Sequence, residues 1–203
     1  MLYTTDNIIE KLKTHVESLN NHQDFKEICT TLLNNNYRIT IAGGFLRDAF
    51  TSKDIPDIDI FVHSGNSIVI SQYLVDTCVE TTCPVYKDFI SDIISTFQSI
   101  TFGKQPKVNI IHIVSKTSEQ VTKAFSSSFS KVSVDVSLDF LTGNLIFDNY
   151  IVKKSFIKTL NTKVIKLNAD TSTSYCNKLD SYFTPLGYTF KVKGNKDTYG
   201  YLE

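Results

Sequence analysis

The sequence predicts a mixed α/β (α+β) domain, with one mixed sheet and flanking helices. Three observations carry that expectation. Apolar residues recur at spacings of three and four near the N-terminus. Short β-branched runs follow, each bounded by turn residues. A diglycine, Gly43-Gly44, stands where the first such run gives way to a helix-compatible stretch.

Taken in order, Ile8, Ile9, Leu12, Val16 and Leu19 define a first helix, with Asp6 as N-cap or first-turn acid. Phe25, Ile28, Cys29, Leu32 and Leu33 define a second, which the run Asn34-Asn35-Asn36 closes, because asparagine tolerates the conformations that end helices. Residues 37–42 (YRITIA) read as a strand, FLRDAF as a short helix, and residues 58–62 (IDIFV) as a second strand. Helices are expected over 66–78 and within 84–95, an extended segment over 99–102 and a turn over 103–107. Residues 108–114 (VNIIHIV) are the strongest central-strand candidate. A short helix over 118–125 comes next. A hairpin follows, extended from Ser130 to Leu138 and from Leu145, around Thr142-Gly143-Asn144. Residues 164–167 read as extended. A helix over 171–183 has Asp170 as its cap, places Tyr175, Leu179, Tyr182 and Phe183 on one face, and is stopped by Pro185 and Gly187. The tail is polar and expected to fray. This divides the chain into an N-terminal helical segment (1–36), a core (37–150) and a C-terminal extension whose helix packs on the core (151–203).

Composition narrows the function classes. Of 203 residues 41% are hydrophobic and 21% charged, which excludes wholesale disorder. Lys+Arg and Asp+Glu are both 21, so no overall field draws the protein to nucleic acid or anionic membrane, although a local basic patch stays open. No apolar run is long enough for a membrane helix and the N-terminus lacks a signal-peptide pattern, so a cytoplasmic protein without a membrane partner is expected. The four cysteines have no zinc spacing and are expected as reduced thiols, a Cys78–Cys83 disulfide being the lesser alternative. Arginine occurs only at Arg38 and Arg47.

The chemistry concentrates between Ile41 and Val62. Gly43 and Gly44 sit at a strand-to-helix junction, where backbone N–H groups can cradle phosphate oxygens and absent Cβ atoms permit close approach. Asp57 and Asp59 are two apart on a strand, so both carboxylates share one face while Ile58 and Ile60 point to the core. Their mutual repulsion is relieved by a cation, and Mg²⁺ with phosphate oxygens completing its shell suits them. That set implies metal-assisted phosphoryl or nucleotidyl transfer, with a third carboxylate expected from a neighbouring strand. Each feature has a plain structural counterpart: an ordinary turn, a solvated strand edge, and a surface ion pair between Arg47 and Asp48.

Gly43-Gly44-Phe45-Leu46-Arg47-Asp48 followed by Asp57-Ile58-Asp59-Ile60-Phe61 resembles the head domain of polymerase-β-type nucleotidyltransferases. The nearest branch is the tRNA nucleotidyltransferase and poly(A) polymerase group, especially its short phage and viral relatives. Residues 108–111 look like the strand beside the DxD strand, and 177–182 with Gly187-Tyr188 loosely resemble a C-terminal helix of that group. The resemblance implies that Gly43 and Gly44 contact the triphosphate of an NTP. Arg47 braces the loop or touches phosphate, Asp48 orients Arg47, and Asp57 with Asp59 hold Mg²⁺ as the catalytic pair. The third carboxylate is unplaced: Ser126 or Ser128 falls where the family has aspartate. Asp135 and Asp139 are substitutes, Asp135 facing the other way on an unbroken strand. Two functions follow. One is transfer of a nucleoside monophosphate to a hydroxyl acceptor, RNA among the candidates. The other is a degenerate nucleotidyltransferase-like domain, a pseudoenzyme serving as a phage structural, assembly or interaction protein beside other virion proteins. Richness in Asn and Lys with little Arg suggests an AT-rich source, in keeping with a phage.

The other candidates read more plainly. His112 is expected as a packed core histidine, and His15, His22 and His63 as surface residues, approach of His63 to a nucleotide beside the DxD strand being the lesser alternative. Lys53, Lys104 and Lys107 form a modest phosphate-facing patch or are merely solvated. Lys153-Lys154 is expected as an exposed pair, and Tyr182 and Phe183 as core.

Overall fold

The computed structural model describes residues 2–51, 57–63, 94–100, 107–113 and 117–193, the stretch 94–100 by its backbone alone. The helices expected over 66–78 and 84–95, the turn at 103–107, Cys78, Cys83, Lys53 and Lys104 lie outside or mostly outside the described residues.

Helix α1 (Thr5–Glu17) and α2 (Gln23–Asn34) open the chain, joined by a 3-10 turn at Ser18–Asn21. Thr4 caps α1 in a reciprocal capping box with Asn7, so Asp6 serves as the first-turn acid. Asn36 takes a positive φ of 62° just past α2, as the asparagine run predicts. Strand β1 (Arg38–Ala42) leads into the short α3 (Gly44–Asp48), and β2 (Asp57–His63) follows. Next come β3 (Ile94–Ile100), β4 (Lys107–Ile113) and α4 (Ser118–Ala124). Strands β5 (Val132–Asp139) and β6 (Asn144–Val152) form the expected hairpin, with Gly143 at φ 68° in its turn. Then come α5 (Lys154–Thr162), β7 (Val164–Leu167), α6 (Thr173–Phe183) and β8 (Thr189–Val192).

Six strands make one sheet in the order β3-β4-β2-β1-β5-β6, in which only β2 and β4 run parallel. Strands β7 and β8 pair in parallel as a separate two-stranded sheet. One face of the large sheet carries the main core: Ile8, Leu12 and Val16 of α1 and Ile28 and Leu32 of α2 pack against Ile39, Ile41, Ile58 and Ile60. The opposite face holds a smaller apolar cluster of Ala42, Phe61, Ile111, Ile113, Val121 and Phe125, roofed by α4. Among the described residues no helix is long and apolar enough to cross a membrane.

Several expectations need correction. The helix near 171–183 starts at Thr173 and is capped by Ser172, whose hydroxyl accepts the Tyr175 N–H; Asp170 stands outside it. Phe183 is core at 1% exposure, but Tyr182 is 39% exposed, because it points away from the sheet. The stretch around Ser128–Ser130 is a 3-10 turn, and the strand begins only at Val132. Helix α5 and strand β8 were unforeseen. The spacing of Phe156, Thr159 and Leu160, all buried, was the available signal for α5.

The C-terminal elements are tied in by aromatic packing. The Phe129 ring meets Phe156, Phe183 and Tyr188 at centroid distances of 5.6, 5.3 and 4.8 Å. At the far side, the side chain of Asn20 pairs with the backbone of Leu145 on edge strand β6. Its Nδ2 donates to Leu145 O (3.1 Å) and its Oδ1 accepts the Leu145 N–H (2.8 Å).

Two outcomes are expected. Phe129→Ala removes the ring shared by three aromatic neighbours and costs about 3–5 kcal/mol in urea unfolding. Burial pushes the imidazole of His112 down to about 4. The unfolded chain, with a histidine pKa near ~6.5, therefore binds more protons between these values, and stability falls as pH drops through that window. His112→Gln should flatten that part of the pH–stability profile; an unchanged slope would remove His112 as its source.

Candidate functional site

The site follows from register. Strand β1 ends at Ala42, and its antiparallel partner β2 begins at Asp57, so the Gly43-Gly44 turn and the DxD pair lie at the same edge of the sheet. Asp57, Asp59 and Phe61 share a face by strand alternation, and Phe61 identifies it as the face opposite the main core. Both aspartates are half-buried.

Gly43 has φ 82°, and a Cβ there would stand 2.9 Å from Cζ of Phe125, so conformation and space both demand glycine. Its N–H donates to Val132 O (3.1 Å), which fastens the turn to β5. Within α3 the first helical bond runs from the Arg47 N–H to Gly43 O (3.1 Å). The N–H groups of Gly44, Phe45 and Leu46 precede it and are the donors such a turn leaves over. A Cβ on Gly44 would stand 3.4 Å from Nη2 of Arg47, which folds back over the turn. Arg47 Nε donates to Asp48 Oδ1 at 2.8 Å, with both side chains largely buried, and its guanidinium lies 4.7 Å from the centroid of the Phe183 ring. Asp48 therefore holds Arg47, and Phe183 of α6 carries it from beneath. Helix α1 steadies the same turn through His15, whose Nε2 meets Phe45 O at 3.1 Å and whose ring stacks on Phe45 at 4.4 Å. Burial lowers the His15 pKa more than the Phe45 carbonyl and Asp48 raise it.

Strand β4 supplies the nearest neighbour of the DxD pair. Asn109 is in register with Asp59, and its Nδ2 donates to Asp59 Oδ1 at 2.8 Å. A neutral carboxamide thus occupies the cross-strand position where a third carboxylate would reach the pair. Sequence reasoning placed residues 108–111 beside the DxD strand, as observed, but looked elsewhere for the third group. Tyr175 of α6 also belongs here: burial raises its hydroxyl, Ser130 hydrogen-bonds it, and it senses the charges of Arg47 and Asp59. Only its place on the apolar helix face signalled it in the sequence.

The proposed substitutes are used for structure. Asp135 lies in the row Phe61–Thr40–Asp135, hence on the same sheet face as Asp59, because the break before Val132 resets the alternation counted from the serines. Its carboxylate is engaged, however: Oδ1 accepts from Thr40 (2.7 Å) and Ser118, and Oδ2 accepts from Asn149 (2.6 Å). Thr40 also meets His63 Nε2 at 2.8 Å, so His63 extends this network. Asp139 closes the β5–β6 turn, accepting from Leu141 N–H and Thr142 Oγ1. Ser128 Oγ bonds Thr159 Oγ1 (2.7 Å) and accepts the Lys166 N–H (2.8 Å), joining α5 to β7. Ser126 is buried, and its carbonyl accepts the Asn168 N–H. In the row of Asp59, β5 presents Ser133, fully buried against Thr122 (2.6 Å). Among the described residues no three His, Cys, Asp or Glu side chains cluster as a ready metal cage. The carboxylate oxygens of Asp57 and Asp59 are hard donors of the kind Mg²⁺ takes.

Solved structures share this fold. A CCA-adding enzyme in its apo form II is similar with a TM-score of 0.56 at 14% identity, over 92% of this chain and 44% of that one. The Thermotoga maritima CCA-adding enzyme complexed with tRNA matches with a TM-score of 0.55 at 15% identity, over 91% of this chain and 42% of that one. A tRNA-processing enzyme with CTP matches at 0.50 and 15% identity, over 80% and 42%. The chain spans less than half the length of these proteins, and its mixed α/β architecture is nucleotidyltransferase-like. No curated protein sequence matches the chain. A protein family described as "Gabija anti-defense 2 family protein" matches residues 7–163.

Asn109→Asp places a third carboxylate against Asp59 and removes a hydrogen bond. In EDTA this variant should melt below the parent, and Mg²⁺ should restore most of the loss while moving the parent less. Equal melting with and without Mg²⁺ would count against a cation at this face.

Proposed function

The chain belongs to the Gabija anti-defense 2 family, and we propose that it opposes that defence as a Mg²⁺-dependent nucleotidyltransferase, passing a nucleoside monophosphate from an NTP to a hydroxyl acceptor. The observation that carries this reading is the shared face of Asp57 and Asp59 beside the Gly43-Gly44 turn. An anti-defence role and a composition rich in Asn and Lys with only two arginines both suit a phage-encoded protein acting in the host cytoplasm.

In this reading the N–H groups following Gly43 and the guanidinium of Arg47 receive the triphosphate, and the Asp48 carboxylate keeps Arg47 aimed. Asp57 and Asp59 would hold Mg²⁺, which when bound neutralises phosphate charge and favours departure of the leaving group. The acceptor oxygen forms the new bond to the α-phosphorus, the bond to the bridging oxygen breaks, and pyrophosphate leaves. The hydroxyl proton passes to a carboxylate of the aspartate pair. Asn109 fixes one Asp59 oxygen, so the pair presents a set direction to the ligand. Tyr175 and the Arg47–Phe183 stack form the α6 side of the site. The CTP named with one structurally similar enzyme supports a nucleotide ligand of this class.

A second reading has its own observation. The neutral amide of Asn109 beside Asp59 weakens cation binding relative to three carboxylates, which favours a domain that captures a nucleotide without transferring it. Titration of the four common NTPs with and without Mg²⁺, followed by incubation with α-labelled NTP and host extract, separates the two. Transfer predicts Mg²⁺-dependent binding and label joined to an acceptor; capture predicts binding alone. The double variant Asp57→Asn, Asp59→Asn should lose Mg²⁺-dependent binding and keep its fold by circular dichroism. Retained binding would sink the assignment of the pair.

A further inference from the structure

The formal charge of the chain is zero, but it is not evenly spread. Between Ile151 and Lys193 the sequence has eight lysines against two aspartates. The fold gathers several of them on one surface. In the β7–β8 sheet Lys166 and Lys191 are direct cross-strand partners, and both are exposed. Like charges placed so repel. Lys193 follows two residues on, exposed, with its N–H held by Leu167 O (2.8 Å).

Further lysines lie where β5 begins. Lys131 precedes β5, and its Nζ donates to Lys123 O (3.2 Å) at the end of α4. The Lys153 N–H donates to Lys131 O (3.2 Å). Lys131 lies close enough to Lys193, Lys153 and Lys123 that their charges, after its own burial, lower its affinity for a proton. Among the described residues one acid pairs with the group: Glu119, largely exposed, meets Lys153 at 2.5 Å. These six lysines come from five separate segments of the chain: α4, the approach to β5, the cap of α5, β7, and β8 with Lys193 just past it.

We infer that Lys123, Lys131, Lys153, Lys166, Lys191 and Lys193 form a binding surface for the phosphate backbone of a nucleic-acid strand. A nucleic acid is favoured over an acidic protein by the make-up of the surface. Interfaces with nucleic acid are polar and strongly positive, whereas protein interfaces are depleted in lysine and carry aromatic anchors. Here Lys123, Lys166, Lys191 and Lys193 are exposed and Lys131 and Lys153 half-buried, and no aromatic among the described residues of these segments is exposed. Lys191 and Lys193, two residues apart on an extended segment, are separated by about 6.6 Å, a step suited to successive phosphates.

The surface also borders the candidate site. Lys131 lies between Ser130, which bonds Tyr175, and Val132, whose carbonyl holds the Gly43 N–H. A strand lying along the lysines has its end within reach of the DxD face. Its role as the hydroxyl acceptor rests on the transfer reading above; its binding does not.

The test is fluorescence anisotropy of the full chain with fluorescein-labelled oligouridylate and oligothymidylate over a range of KCl. The variant Lys166→Gln, Lys191→Gln, Lys193→Gln should lose at least ten-fold in affinity at low salt. The slope of log K against log salt should shrink by about 0.7 per lysine removed. The control Lys13→Gln, Lys26→Gln, on the N-terminal helices, should bind as the parent does. An equal affinity in the triple variant, an equal loss in the control, or competition by polyglutamate as strong as by unlabelled oligonucleotide would overturn the inference. NTP titration of the same variants keeps the two claims apart. Lysine-dependent strand binding in a parent that takes up no Mg²⁺–NTP would leave the surface standing and remove the acceptor role. Preference between the two oligonucleotides tells whether the ribose 2′-hydroxyl is read.

Discussion

Everything at the site depends on the antiparallel pairing of β1 with β2. Opposing Ile41 to Ile60 brings the end of one strand beside the beginning of the other. That single register joins a glycine turn and a carboxylate pair thirteen or more residues apart in the chain. Shifting it by one residue would turn Asp57 and Asp59 into the main core and Ile58 and Ile60 outward. The burial of Ile58 and Ile60 against α1 and α2 makes such a slip costly, so the apolar face of β2 enforces the position of its polar face.

That coupling explains why this part was legible. Period-two alternation is local, and DIDIF states in five residues which side chains face which way. Gly43-Gly44 was legible for the same reason, although the demand on Gly43 comes from a distant residue, Phe125. The third position was not legible. Its occupant depends on which strand lies beside β2 and in what register, and Asn109 is fixed by a parallel pairing across a long connection. Sequence offset puts Ser126 or Ser128 at that position and leaves Asp135 and Asp139 as substitutes. The 3-10 turn at Ser128–Ser130 broke the offset, and Thr40, Ser118 and Asn149 had already engaged Asp135.

The C-terminal part shows a different limit. Strand β8 has four residues and reads as a polar tail, because its pairing with β7 and the burial of neighbouring Tyr188 come from tertiary contact, not from pattern. Helix α6 was visible as a helix, but its contribution to the site, Tyr175 at the wall and Phe183 under Arg47, depends on how it docks. The clustering of lysines from α4, the β5 approach, the α5 cap and the small sheet is likewise a property of assembly. A net charge of zero concealed it.

The carboxamide of Asn20 has a consequence of a different kind. By offering one donor and one acceptor to Leu145, it imitates the peptide group of an adjoining strand at the open edge of β6. Another extended segment seeking to lengthen the sheet there meets a backbone already satisfied, and must first evict a side chain anchored in the turn between α1 and α2. One asparagine thus caps the edge of β6 at Leu145 against strand addition by another copy.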